Sequence, residues 1–438
     1  MSISTTTADP SAPSVVPPEL KKARIAVSAA FAIQAMLLLT VMQSLTTLMP
    51  LLGLSASKTA LIVLALSAFA AVGSVLITLV ANKTSSALGI RIAMVLILVA
   101  SFGLAFSPAV PGGARKPVFL VCMVFYGLAV GALDATSNMQ AVAIQRRYGR
   151  IILNSFHASW SAGAFVGIGI AALGQTIGRA LGYGEVDGND PYLYDRYMWT
   201  MVVIIALLFI IVSLIWPKVL KYSHEEDVVT SEEEKSFKPP MKIFAAICAA
   251  MVFFYFVDFC VETWGSVFLA NDFDAMKDTA DMAAGLYMAF GLIARLLADK
   301  LARRFGESKT LMVAAIISVV GMIIVVSSQS LPVALVGFAI AGCGVPITAP
   351  LCFSTVGYLV PMKQVDVAIG RLNLFNYIGT LLGGGVIGLI AHADLRIAMG
   401  VALAMCVLLV IVAPFFRHPN SATGSQPVKP APVAGVSA

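Results

Sequence analysis

Charged side chains are scarce in this sequence. Asp, Glu, Lys and Arg make up only 12% of its 438 residues, while apolar residues make up 59%. Since a soluble domain carries roughly a quarter charged residues, most of this surface must face a medium other than water. The shortage of charge excludes an ordinary soluble domain and indicates a protein embedded in lipid.

Cysteine and histidine are also few, with six and four copies. The cysteines all fall inside apolar runs without metal-ligand spacing, which indicates packing residues, and the histidines are scattered. No Gly-Lys-Ser/Thr phosphate loop is present. We therefore expect no metal, no other cofactor and no enzyme activity, and we exclude an ATP-driven pump within this chain.

The first residues lack the charged start and short apolar core of a cleaved signal, so we expect the first helix to act as its own uncleaved insertion signal. Residues 1–20 and 418–438 are rich in Ser, Thr, Pro and Ala and show little apolar periodicity. Such segments have little to bury, which predicts a disordered tail at each end.

Twelve apolar runs are present, each of a length that can cross a hydrocarbon core of about 30 Å as a helix. They predict an all-α membrane protein with helices at 24–50, 58–81, 89–107, 117–144, 151–178, 197–217, 241–268, 280–298, 308–328, 331–360, 367–391 and 394–416. A charged linker at 218–240 divides them into a six-helix bundle at 21–217 and a second one at 241–417.

The basic residues are distributed unevenly between alternate loops. If both termini are cytoplasmic, 22 of the 29 Lys and Arg residues lie on the inner side and 7 on the outer side. This bias favours cytoplasmic termini. The net charge of +6 therefore reflects orientation in lipid, and we expect no nucleic-acid partner.

Two motifs occur twice in the same direction. Gly149-Arg150, running on to Gly163 and Gly167, is repeated 221 positions later, and the segment 79–83 is repeated 217 positions later at 296–300. The later copy of the first motif is Gly370-Arg371 with Gly384 and Gly388. Spacings of about half the chain indicate two homologous halves. The paired glycines predict close helix packing.

Six plus six helices in parallel halves, together with Leu297-Ala298-Asp299-Lys300-Leu301-Ala302-Arg303-Arg304-Phe305-Gly306, resemble the major facilitator superfamily. The resemblance implies two pseudo-symmetric bundles and a cytoplasmic lock between helix ends. It implies gating roles for Asp299, Lys300 and Arg303. We add Arg150 and Arg371, and we place Arg295 and Arg371 at cytoplasmic helix ends where they snorkel or lock the gate. Asn82 replaces the acid in the first copy, so any lock in that half is weaker or absent.

A narrower resemblance is carried by Gly131-Ala132-Leu133-Asp134-Ala135-Thr136-Ser137-Asn138, by Gly149-Arg150, by Phe156-His157 and by the spacing of Asp258 and Trp264. It resembles a bacterial branch of the superfamily distantly similar to the fucose permease group, which implies a sugar-like solute. Members of this branch often have acidic residues late in helix 4, whereas this sequence has Gln140 and Gln145 there.

Asp134 and Asn138 share a face of helix 4 with Gly127 and Gly131. A charge at the bilayer centre costs at least ~2.5 kcal/mol, so such an acid needs a partner, water or a proton. The pair is either a substrate or proton site, or a polar clamp that holds helix 4 to a neighbour.

His157 and Trp160 in helix 5 form a second candidate, either for proton relay or substrate binding, or for a structural hydrogen bond to helix 4 or 10. Asp258, Glu262 and Trp264 form a third in helix 7, although Glu262 also fits a solvated helix end. By resemblance, helices 1, 4, 7 and 10 line the cavity, which ranks Gln43, Asp134 and Asp258 above the polar residues of helix 11. That helix 11 set is Asn373, Asn376, Tyr377 and Thr380.

Together these features predict a secondary transporter that works by alternating access. We expect it to carry its solute together with protons, as a symporter, and to act as a monomer in membrane lipid. No cation is expected deep in the bundle, so a small neutral or cationic polar solute fits better than an anion. Export of amphipathic or drug-like compounds, and a transporter-like sensor or partner without turnover, also fit the sequence.

Overall fold

The computed structural model describes residues 16–54, 56–107, 110–180, 193–219, 239–391 and 394–416. Helices dominate these ranges, and no strand occurs within them. The long helices are α1 (Pro18–Leu51), α2 (Ala56–Lys83), α3 (Ser86–Phe106), α4 (Arg115–Tyr148), α5 (Leu153–Ala180), α6 (Leu193–Ile215), α7 (Met241–Phe273), α8 (Met282–Phe305), α9 (Glu307–Ser327), α10a (Leu331–Gly342), α10b (Thr348–Leu359), α11 (Val365–Ala391) and α12 (Leu395–Val412).

The predicted all-α membrane fold is confirmed. With α10a and α10b counted as one broken helix, each predicted apolar run corresponds to one observed helix. Within the described ranges, nine helices are long and apolar enough to cross a membrane. The predicted linker and C-terminal tail lie largely outside the described residues, at 220–238 and 417–438.

Helix ends differ from the predicted ones where charged residues continue a helix. α1 begins at Pro18, inside the segment predicted to be a disordered tail, because proline suits a first helical turn and Leu20 is buried. α8 runs to Phe305 rather than 298, since its last residues are good helix formers. It ends at Gly306, whose φ of 86° is accessible to glycine.

Helix 10 is broken in the middle, where the sequence holds Gly342, Gly344, Pro346 and Pro350. α10a ends at Gly342, a short 3-10 turn covers Val345–Ile347, and α10b begins at Thr348. Pro350 has no N–H group, so it cannot bond the carbonyl of Pro346 four residues earlier. The break therefore leaves a free backbone acceptor in the interior of the bundle.

The two halves repeat one packing scheme. α1 packs against α5 and α2 against α4, while in the second half α7 packs against α11 and α8 against α10a. α3 packs against α6 as α9 packs against α12. The halves meet through α2 with α11 and through α5 with α8, two contacts related by the same pseudo-symmetry.

The repeated glycines pack differently in the two halves. A Cβ atom on Gly163 would lie 2.1 Å from the backbone oxygen of Ala32, and one on Gly167 would lie 2.4 Å from that of Met36. In α11 the equivalent approach to the α7 backbone is made by Gly379 and Gly383, where an added Cβ atom would lie 2.7 Å from a carbonyl oxygen in each case.

Gly384 and Gly388, the glycines matched by sequence, face side chains instead. A Cβ atom on Gly384 would lie 2.8 Å from the Phe259 ring, and one on Gly388 would lie 3.4 Å from the Trp264 ring. The predicted close packing by this second pair is therefore made against side chains rather than against a helix backbone. The positions of α11 at which the backbones approach closely lie five residues earlier in the chain.

The close approach of α5 to α1 gives a test of packing. We expect Gly163→Ala to lower the free energy of unfolding by about 1 to 3 kcal/mol, because the new methyl group meets rigid backbone. Gly169→Ala, in the same helix, is the matched control, since a Cβ atom there has no neighbour within 4 Å. Thermal unfolding of the purified variants measures the difference, and equal melting temperatures contradict the expectation.

Candidate functional site

One end of the bundle is the end where α1 begins and α12 ends, and we call it the terminal face. α4, α8 and α10b also end there, and α5, α9 and α11 begin there. Asp134 lies in α4, 14 residues before that helix ends at Tyr148. Its side chain is only 8% exposed. At about 1.5 Å per residue this places an acid near mid-membrane.

The Asp134 carboxylate accepts five side-chain hydrogen bonds. Its Oδ1 accepts from Gln34 Nε2 at 3.2 Å and Asn138 Nδ2 at 3.3 Å, while its Oδ2 accepts from Asn373 Nδ2 at 2.9 Å, Tyr377 Oη at 3.1 Å and Asn376 Nδ2 at 3.2 Å. All five donors are neutral. One oxygen is therefore held by α1 and α4 of the first half, and the other by α11 of the second half.

These bonds combine the two interpretations left open for Asp134. It does form a polar clamp, but the clamp joins the two halves, which must separate on one side in any alternating-access cycle. Three polar residues of α11 that were ranked below Gln43 on sequence are direct partners of Asp134, namely Asn373, Asn376 and Tyr377. The side chain of Gln43 lies outside the described residues.

Several amides around Asp134 have uncommitted oxygens. Asn138 and Asn373 are fully buried and Gln34 is 4% exposed. Asn138 Nδ2 also donates to the Asp134 carbonyl at 3.0 Å, and Asn373 Nδ2 also donates to the Ser74 hydroxyl at 3.1 Å. The side-chain oxygens of these three amides have no hydrogen-bond partner among the described residues.

A second polar group lies in the other half. Asp258 in α7 accepts a hydrogen bond from Tyr287 Oη at 2.8 Å. Glu262, one turn further along α7, is partly exposed and interacts electrostatically with Asp258 and with Arg295. Trp264 is half-buried, and its indole N–H has no partner in the described part of the chain. The third predicted candidate is thus a cluster rather than a solvated helix end.

Arg295 is a buried cation, and its predicted place at a helix end is wrong. Its side chain is 7% exposed, and Nε donates to the Pro346 carbonyl at 3.0 Å while Nη1 donates to Ser161 Oγ in the other half. The prediction failed because α8 continues to Phe305, ten residues beyond Arg295. Pro350 frees the carbonyl that Arg295 binds, and the expectation of no deep cation is overturned.

His157 is enclosed by aromatic rings from both halves. Its ring centroid lies 5.0 Å from that of Phe31 in α1 and 6.0 Å from that of Phe353 in α10b. Its Nε2 is buried and makes no hydrogen bond with any described residue. The structural bond that was one alternative for His157 is not made by this nitrogen. Trp160, on the same helix, is partly buried against the core.

Asp299 is the centre of a clamp near the terminal face. Its two carboxylate oxygens accept the backbone N–H groups of Asn154 and Ser155, each at 2.9 Å. An acid of α8 therefore caps the N-terminus of α5 in the other half, where it also complements the helix dipole. Arg303 Nη1 donates to the Ile151 carbonyl at 2.6 Å. The predicted gate residues Asp299 and Arg303 are thus brought together.

The other predicted gate residues are not part of this buried clamp. Lys300 and Arg371 have exposed side chains. Arg150 is also exposed, and its guanidinium lies 5.6 Å from the ring centroid of Tyr148. In the first half, Asn82 is exposed at the position equivalent to Asp299.

A further clamp joins α4 to α10b, and its residues were not among the predicted site. Gln145 Nε2 donates to Ser354 Oγ at 2.8 Å, and Ser354 in turn donates to the buried carboxylate of Glu307. Arg146 Nη1 donates to the carbonyls of Gly357 and Val360 at 3.1 and 2.7 Å. The one feature of the sequence that pointed to this clamp was Gln145, which stands where the similar branch often has an acid. These bonds hold the halves together between mid-membrane and the terminal face.

Known proteins match this chain in sequence and in fold. A family model described as Major Facilitator Superfamily matches residues 247–437. A transporter of Sinorhizobium fredii, y4wD, is 26% identical over 351 residues, covering 77% of this chain and 84% of the relative. The membrane protein MosC of Rhizobium meliloti is 24% identical over 308 residues, covering 68% and 69%.

Among solved structures, the transporter FucP in its outward conformation has a TM-score of 0.74 at 16% identity and covers 90% of this chain and 98% of its own. The proton:xylose symporter XylE has a TM-score of 0.68 at 14% identity, covering 91% and 95%. The fold, the family model and the bacterial relatives agree with the resemblance seen in the sequence. The chain has the fold of Major Facilitator Superfamily transporters, and its second half matches the model of that family.

Proposed function

We propose that this protein is a proton-coupled secondary transporter that carries a small polar, sugar-like solute across the bacterial cytoplasmic membrane by alternating access. The observation that carries the proposal is Asp134, a mid-membrane acid bonded to neutral donors from both halves. Two structurally similar proteins support the coupling and the solute class, since one is named a fucose:proton symporter and another a proton:xylose symporter.

The bonds at Asp134 provide a physical link between protonation and opening. Hydrogen bonds to a charged acceptor contribute about 1.5 to 3 kcal/mol each, against about 0.5 to 1.5 for neutral pairs. Ionised Asp134 therefore favours the state in which Asn373, Asn376 and Tyr377 of α11 are held against α4. A proton weakens these three bonds together, and the halves can then separate toward the terminal face.

The charges inside the bundle favour a neutral or cationic solute. Asp134, Asp258 and Glu262 contribute three acids, and Arg295 contributes one cation, which is already held by Ser161 and Pro346. The buried cation was missed in the sequence, yet the acids still outnumber it. Glu262 and Trp264 are the partly exposed members of the α7 cluster, and we assign them to solute binding together with Asn138, His157 and Trp160.

The orientation follows from the loop charges. We place the terminal face in the cytoplasm, so the clamps at Asp299 and Gln145 close the cytoplasmic side. Most of the described Lys and Arg residues lie in helix ends and short connections near this face. The protein is expected to act as a monomer in lipid, as each half completes the other's site.

Counterflow into proteoliposomes tests the function. A thermal-shift screen of neutral sugars, amino sugars and carboxylated sugars on the purified protein identifies a ligand first. We expect labelled ligand to exchange across the membrane and to accumulate when the outside is made more acidic. If the amount of accumulated ligand does not depend on the pH gradient, proton coupling is contradicted. If none of the ligands found exchanges across the membrane, transport is contradicted.

A further inference from the structure

The amides that surround Asp134 can offer oxygen atoms as well as N–H groups. Gln34, Asn138 and Asn373 each donate to the carboxylate through nitrogen, and the oxygen of each amide is buried without a partner in the described structure. A buried acceptor without a partner costs about 1 to 3 kcal/mol. Three of them on the side chains that contact one acid point to a ligand at that acid.

The number of free oxygens distinguishes the candidate ligands. A proton on Asp134 supplies one donor, so it satisfies at most one of the three oxygens. A hard cation can bind a carboxylate and several neutral oxygens at once. Half-turn rotation of an amide places its oxygen where its nitrogen is now. The oxygens give up no bond in this rotation, but Asn138 and Asn373 give up the bonds from Nδ2 to the Asp134 carbonyl and to the Ser74 hydroxyl, which binding of the ion must outweigh.

The spacing and the surroundings also suit a small cation. The amide nitrogens lie 2.9 to 3.3 Å from the carboxylate oxygens, and ligands at about 2.4 Å from a hard ion lie roughly that far apart. Asn138 and Asn373 are fully buried, so the ion must shed its water. The described residues contain no group of three His, Cys, Asp or Glu side chains that could hold a transition metal.

We propose that Na⁺ binds at Asp134, in competition with the proton, with Gln34, Asn138 and Asn373 as its neutral oxygen ligands. This inference rests on the proposed function, in which Asp134 is the coupling site. Because Gln34 and Asn138 belong to the first half and Asn373 to the second, the ion holds the same two halves together that the ionised carboxylate holds. Na⁺ then stabilises the closed clamp, and a proton displaces it.

Na⁺ titration of the purified full-length protein tests the proposal without any solute. At constant ionic strength, with choline and then K⁺ as replacement ions, we expect Na⁺ alone to raise Tm by several degrees. The Na⁺ concentration at half effect should rise up to about tenfold for each unit that pH is lowered where the proton competes. Asp134→Asn should abolish the effect, and Gln34→Leu should raise the half-effect concentration about tenfold.

Asp272→Asn is the matched control, because Asp272 pairs with Arg396 at the far end of α7 and should keep the full Na⁺ effect. No rise in Tm, or the same rise with K⁺, overturns the Na⁺ site. An undiminished rise in both Asp134→Asn and Gln34→Leu also overturns it, because the ion then binds elsewhere. If uptake follows the pH gradient and Na⁺ has no effect, this inference fails while the proposed function stands.

Discussion

Asp134→Asn is expected to abolish accumulation driven by a pH gradient while solute exchange continues. The carboxamide keeps the size of the side chain but carries no charge and has one accepting oxygen in place of two. Asp134 now accepts three bonds from α11, and losing the charge assistance of all three should weaken the closed state by about 3 kcal/mol. That corresponds to roughly a 100-fold change in the balance between states.

Two measurements on proteoliposomes separate coupling from folding. Net uptake under a pH gradient should fall to the background, whereas counterflow at equal pH should persist and lose its pH dependence. Asp272→Asn, which removes an acid from the far end of α7, should leave both rates within twofold of the starting protein. Preserved accumulation in Asp134→Asn would remove Asp134 from the coupling mechanism.

Asp299→Asn is expected to open the terminal face. The ionised Asp299 caps two backbone N–H groups of α5 from the other half, and an asparagine has only one oxygen to offer them. Loss of a helix cap costs about 1 to 2 kcal/mol, which shifts the balance away from the closed state by roughly tenfold. The first turn of α5 should then lose protection.

Hydrogen exchange followed by mass spectrometry reads this change directly. Amides 154 and 155 should exchange faster in Asp299→Asn, and the start of α11, which has no equivalent acidic cap from Asn82, should change less. Asp394→Asn is the matched control, because Asp394 caps α12 within its own half through Arg396 N at 2.7 Å and Ile397 N at 3.1 Å. Equal exchange at 154 and 155 in all three proteins contradicts a clamp at Asp299.

The helices were predictable because lipid imposes one simple rule, that each span be apolar and about 20 residues long. The same rule exposed Asp134 and Asp258, since an acid stands out in an apolar run. It failed at Arg295, because hydropathy marks where the apolar run ends and not where the helix ends. α8 continues through Asp299 and Arg303 to Phe305, so Arg295 lies ten residues before the end of the helix.

Partners across the interface were harder to predict. Nothing in the sequence orders Asn373, Asn376 and Tyr377 above other polar residues, since their importance comes from the docking of α11 against α4 and α2. The glycine repeat shows the same limit. The sequence repeat paired Gly163 with Gly384, but in α11 the close approach to a neighbouring backbone occurs at Gly379. Helix packing depends on which residues share the contacting face of a helix, and a fixed sequence offset does not capture this.

The cap that Asp299 provides for α5 has a consequence for biogenesis. Residues 154 and 155 leave the ribosome well before residue 299, so the first half enters the membrane with an incomplete helix end. The end is completed when α8 arrives and docks. Synthesis of the second half is therefore also the step that finishes the first, and a truncated chain of six helices should be a substrate for membrane quality control.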